Sequence, residues 1–190
     1  LAYRGIPIQS AYCGAKHAIQ GFTESVRAEL IHDKSNVRIS MVQLPGINTP
    51  QFSWVKNNLP GKPKPTGPVF QPEVAAEAIV WAAYNEHREL NLGAVTDVIL
   101  LGNKIIPGFG DYYLGKTGFE AQQTKEPDDP ERPNNLWEPV PGDFGVQGRF
   151  GDKAKGRSTQ LWLRMHRRIV ALVGTGLVAG ALAAVRKESR

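Results

Sequence analysis

The feature that most constrains this chain is a long amphipathic segment followed directly by a β-branched run and a Pro-Gly pair. From Ser10 onward, Ala15, Ala18, Ile19, Phe22, Val26 and Leu30 recur at helical spacing, with Thr23, Glu24, Arg27 and Glu29 elsewhere around the cylinder. The pattern predicts a helix with one buried stripe, and His32-Asp33-Lys34-Ser35-Asn36 supplies its stop. Val37 to Leu44 begins alternating and then runs apolar, as a buried strand does, and Pro45-Gly46 ends it. A one-sided helix beside a buried strand needs a layered α/β arrangement.

The rest of the chain extends that order. Residues 47–70 turn to Pro, Gly, Asn and Lys with Phe52, Trp54 and Val55 embedded, which predicts a lid-like loop. Pro72 and Glu73 open a second helix with a buried stripe of Val74, Ala75, Ala78, Ile79, Ala82 and Ala83, ending near His87. Glu89 to Gly93 reads as a short strand, and Val95 to Ile106 as a helix broken by Pro107-Gly108. Three regions are expected: an α/β body at 1–115, a proline- and glycine-rich extended linker at 116–160, and a basic-flanked apolar helix at 161–190. The linker is expected to be pinned at most by Trp137 or Phe144.

Charge excludes one class of partner. The net charge of +5 is not spread evenly: from Lys153 on, nine Lys and Arg face Glu188 alone, whereas residues 1–152 hold 14 basic and 17 acidic groups. A mildly acidic body argues against nucleic acid, and the positive charge brackets an apolar run instead. Cys13 is the sole cysteine, which excludes an internal disulfide and points to a reducing, cytoplasmic setting. His17, His32, His87 and His166 have no metal-ligand spacing, so no metal site is expected.

Tyr12 and Lys16 stand four apart on the first predicted helix, so their side chains project from one face about 40° apart. A phenol titrates near pH ~10 and is a poor base at neutrality. An ammonium held beside it favours the phenolate and lowers that value toward the working range. The pair can therefore serve as a proton donor and acceptor.

The surroundings of the pair carry more information than its spacing. Ser10-Ala11-Tyr12-Cys13-Gly14-Ala15-Lys16-His17-Ala18 leads into Gly21-Phe22-Thr23-Glu24-Ser25-Val26-Arg27-Ala28-Glu29-Leu30, then the strand, then Pro45-Gly46-Ile47-Asn48-Thr49. This combination resembles the C-terminal part of the short-chain dehydrogenase/reductase family over residues 1 to about 115. The resemblance implies part of a Rossmann-like, doubly wound parallel sheet and an NAD- or NADP-dependent enzyme that interconverts a carbonyl and an alcohol. It implies Tyr12 as general acid/base and Lys16 as the residue that holds the nicotinamide ribose and lowers the tyrosine pKa. Pro45, Gly46, Ile47 and Thr49 would border the nicotinamide end, and a homodimer or tetramer is implied as well. The family's serine and glycine-rich phosphate turn have no counterpart in the body, so the chain is expected to be an N-terminally truncated fragment, inactive alone. The alternative is a non-catalytic remnant of this fold, or a membrane-tethered module used for partner contacts.

Ile169 to Val185 is uncharged for 17 residues, about 25 Å as a helix, just short of a bilayer core of about 30 Å. Arg164, Arg167 and Arg168 flank it on one side and Arg186, Lys187 and Arg190 on the other, with Gly176 and Gly180 as a helix-contact face. The run is read either as a membrane-associating helix or as one packed on protein. Sedimentation separates the two: a membrane segment carries the full-length protein into the membrane pellet and releases it on deletion from Arg164 onward, while a packed helix leaves it in the supernatant.

Overall fold

The computed structural model describes residues 1–175. Its longest element is α1, Ser10–His32, as the apolar spacing predicts. The helix closes with paired capping bonds: Lys34 N donates to Ile31 O at 3.1 Å and Ser35 N donates to Leu30 O at 2.9 Å. Lys34 takes φ +52° to make that reversal, a conformation in which a Cβ crowds the following carbonyl and glycine is favoured.

The stripe expected to be buried is a correction. Cys13 and Thr23 are the buried residues of α1, Val26 and Leu30 are half-buried, and Ala15, Ala18, Ile19 and Phe22 face solvent, Phe22 at 68% exposure. The described sheet beside the helix is only two strands wide and leaves the stripe uncovered. What ties the C-terminal half of α1 down is polar: Arg27 donates to Ile39 O at 3.0 Å and to Arg88 O at 2.7 Å.

That sheet pairs β1, Met41–Gln43, with a parallel strand at Glu89–Asn91. The strand expected over Val37 to Leu44 is thus three residues long, because its partner offers only three positions to pair with. Between the two run β2 (Gly46–Ile47), α2 (Gln51–Trp54), β3 (Gly61–Pro63), β4 (Val69–Phe70) and α3 (Pro72–Tyr84); the strand Glu89–Asn91 is β5. A crossover through α3 is what lets β1 and β5 run parallel. Pro72 sits at the helix start with Glu73 in the first turn, where a missing N–H and a negative charge are tolerated best.

The core forms where α3 meets these strands. Val74, Ala75, Ala78 and Ala82 pack with Phe70, Leu90, Leu92 and Leu161. Ile79 and Ala83, expected in that stripe, are exposed instead. Leu161 arrives from α6, Thr159–Met165, which Ser158 caps by accepting from Leu161 N. The same helix is held by Gln160 Nε2, which donates to Asp97 at 2.9 Å, and by the Arg164–Asp97 ion pair at 2.7 Å.

The expected linker is a second correction. Pro107 breaks the helix α4 (Ala94–Ile105) as predicted, but a new helix, α5, begins at once and spans Pro107–Ala121. The boundary expected at 115 falls inside it. Four glycines in PGFGDYYLGKTGFEA erase the helical signature in sequence, since each weakens intrinsic helix preference by about 1 kcal/mol. Beyond α5, β6 (Gln123–Pro127) pairs antiparallel with β3. Asp128 and Arg132 then form a shielded ion pair at 3.1 Å, and Arg132 also donates to Ser53 O. Proline-rich backbone is therefore laid against the body, anchored by polar side chains that a hydrophobicity pattern does not reveal.

The backbone is again helical at 167–175. No helix among the described residues is long and apolar enough to cross a membrane. The remainder of the apolar run, with Gly176 and Gly180, lies outside the described residues.

The α1 cap gives a direct test. Lys34→Gly removes the Cβ from a left-handed residue whose side chain is exposed and should raise the unfolding free energy by about 1 kcal/mol. Urea denaturation should show a higher midpoint with an unchanged slope; a lower midpoint would contradict the cap assignment.

Candidate active site

Where Tyr12 points depends on where α1 starts, and a network before the helix decides that. Tyr3 OH donates to Glu89 at 2.6 Å, and Asn103 Nδ2 donates to the Tyr3 carbonyl at 2.8 Å. Arg4 bonds Asp111 at 2.7 Å and Asn103 at 3.1 Å. Gln9 donates to Gln122 at 2.6 Å, while buried Gln122 donates to Pro7 O and Gly118 O. Ile8 lies at φ +60°, costly for a β-branched residue and sustained only because both flanks are fixed. The glycine-rich α5 is the other half of this clamp.

Tyr12 emerges one turn into α1 and is 51% exposed. Lys16 Nζ lies 5.2 Å from the centre of its ring. The four-residue spacing thus brings the two side chains together, with the ammonium over the aromatic face, where the ring quadrupole attracts a cation.

The second group of expected site residues is also brought together, in a way the sequence does not announce. Pro45-Gly46 does not end strand pairing; it transfers it. Gly46 and Ile47 pair in parallel with Val69 and Phe70 of β4, and Thr49 N donates back to Ile47 O at 2.9 Å. Between them Asn48 has no exposed surface. Its N–H donates to Phe70 O, its carbonyl accepts from Gly148 N, its Nδ2 donates to Gln71, and its Oδ1 accepts from Phe150 N at 2.9 Å. Asn48 is the residue that sequence reasoning passes over. Its only signal is the setting, an amide at the end of an apolar strand between Pro45 and Pro50.

Among the described residues no hydrogen bond or ring contact joins Tyr12 or Lys16 to the Gly46–Thr49 turn. Arg27 fixes the C-terminal half of α1 to Ile39, before β1, and the Gly46–Thr49 turn follows the carboxyl end of β1. Two clefts of the described surface lie elsewhere. One of about 540 Å³ is lined by Arg27, Lys34, Arg38 and Arg88 among others, and one of about 300 Å³ by His87, Glu89, Leu90, Leu163, Arg164 and Arg167.

Residues 2–59 match the family described as short chain dehydrogenase. Over 183 residues the chain is 30% identical to the "Uncharacterized oxidoreductase YxnA" of Bacillus subtilis (strain 168), a match that covers 95% of this chain and 51% of that relative. The chain therefore spans about half the length of the curated relative it matches. No solved structure gives a significant match.

The clamp before α1 is sensitive to alkali. Burial, then the hydrogen bond to Glu89, then the charges of Glu89 and Glu24, push the Tyr3 phenol up to about 12 from its ordinary 10.0. Below the ordinary value both folded and unfolded chains hold the proton, so the contribution is whole. As pH rises through the interval the unfolded chain releases its proton first, and stability falls. Unfolding free energy should decline between pH 10 and about 12, less steeply in Tyr3→Phe. Equal slopes in the two proteins would remove Tyr3 as the cause.

Proposed function

We propose, from the match of residues 2–59 to the short-chain dehydrogenase family, that the chain belongs to that family and that the whole protein is an NAD- or NADP-dependent oxidoreductase interconverting a carbonyl and an alcohol. The observation that carries the reading is that the matched segment encloses both the Tyr12–Lys16 pair and the Pro45–Thr49 turn.

The donor set suits a nicotinamide riboside. Lys16 offers an ammonium to ribose hydroxyls, Thr49 offers a hydroxyl to polar cofactor oxygens, and Pro45, Gly46 and Ile47 supply a close, mainly backbone wall. The nicotinamide ring supplies hydride exchange when bound. The chain's own part is proton handling. Tyr12 gives its phenolic proton to the carbonyl oxygen during reduction and takes one from the hydroxyl during oxidation. Lys16, within reach of the same ring, stabilises negative charge as it develops on the Tyr12 oxygen. Half-exposure of Tyr12 supports this role, because a proton shuttle must meet a substrate arriving from solvent. Assembly as a homodimer or tetramer is part of the same proposal.

Substitution separates the chemical role from binding. In the full-length protein Tyr12→Phe should lower turnover by roughly 100-fold or more, the range for loss of a general acid/base, while leaving nicotinamide dinucleotide affinity nearly unchanged. Lys16→Met should weaken both. Turnover surviving in Tyr12→Phe would refute the assignment.

A further inference from the structure

We propose that residues 147–155 act as a strap that sets the Gly46–Thr49 turn for the nicotinamide end of the cofactor, with Gly148 and Asn48 as positioning residues. The inference rests on the dehydrogenase reading and adds to it a part of the chain well beyond the family match, which ends at residue 59.

The strap is bonded to both strands that form the turn. On the β2 side, Gly148 N donates to Asn48 O at 3.0 Å and Phe150 N donates to Asn48 Oδ1 at 2.9 Å. On the β4 side, Lys155 N donates to Val69 O at 2.8 Å and Gln71 N donates to Lys155 O at 3.0 Å. Gln71 bridges the two attachments, accepting from Asn48 Nδ2 at 3.1 Å and donating to Gly151 O at 3.4 Å. Phe150 also stacks edge-on against Phe52 at 5.3 Å, so the aromatic part of the expected lid is seated on the strap. Pairing between β2 and β4 alone is two residues long and would hold a turn loosely; the strap adds bonds on both sides of it.

Gly148 shows how tight the contact is. A methyl group there would overlap the Thr49 carbonyl oxygen, stand 2.7 Å from the carbonyl carbon and 3.0 Å from Asn48 Oδ1. Backbone cannot yield as a flexible side chain does, so a substitution must move either the strap or Thr49. Thr49 carries the hydroxyl assigned to the cofactor, and Gly148 reaches the cofactor only through it.

The test is a pair of binding titrations on the full-length protein. One uses the reduced nicotinamide dinucleotide that it binds, and the other the matching fragment lacking nicotinamide riboside. In Gly148→Ala the dinucleotide should bind at least about tenfold more weakly, the scale expected when a contact group is displaced by about an ångström, while the fragment should keep its affinity. Loss of both affinities in equal measure would make the strap merely structural, and loss of neither would remove it from the site; both results overturn the proposal. Should Gly148→Ala not fold, Gln71→Ala loosens the same attachments from the solvent side. It should show the same selective loss at smaller size, and an unselective change there overturns the proposal too. Failure of the unaltered protein to bind any nicotinamide dinucleotide is a separate result, which refutes the dehydrogenase reading itself.

Discussion

One fully buried amide organises the structure around it. Asn48 is joined to β4 through Phe70 and Gln71 and to the tail through Gly148 and Phe150. Each such bond adds only about 1 kcal/mol net, but a buried donor or acceptor left without a partner costs about 1–3 kcal/mol. The asymmetry matters more than the sum. The tail cannot lift away without leaving an unsatisfied amide inside, so strap and turn hold or fail together.

Much else follows from the tail being bound. Leu161, 2% exposed, completes the core formed by α3, β4 and β5, and burial of a leucine contributes about 1.5–3 kcal/mol. Trp54 meets Phe144 with ring centres 4.4 Å apart, and Arg132 holds the backbone of α2 from outside. The region before the strap and the region after it thus serve as one wall of the body. Residues 116–160, expected to form an extended linker, include β6 and the pieces that fasten the lid segment.

Legibility in sequence tracked the kind of force involved. α1, α3, α4 and β5 were readable because apolar spacing, Pro72 and Pro107 report directly on backbone geometry. Tyr12 and Lys16 were readable because both belong to a single helix, where four positions in sequence mean neighbours in space. The burial of Asn48, the role of Gly148 and the continuation of α5 were not. Those depend on partners that lie far along the chain, and 102 positions separate Asn48 from Phe150. The exposed stripe of α1 failed for a related reason: spacing states which face is apolar, whereas what covers that face is a tertiary matter.

The long separation between Asn48 and Phe150 also orders events in time. A ribosome releases α1, β1 and the Pro-Gly turn early, yet Gly148 and Phe150, which complete the bonding of Asn48, and the leucine that finishes the core emerge at least 100 positions later. Closing so large a loop carries an entropic penalty that grows with its length, and contacts of this kind form slowly. The nascent polypeptide must therefore wait, with its turn unfastened, until translation has passed the strap. Assembly of the wall beside Thr49 is a late step in the life of each molecule, and during that delay chaperones have their longest opportunity to act.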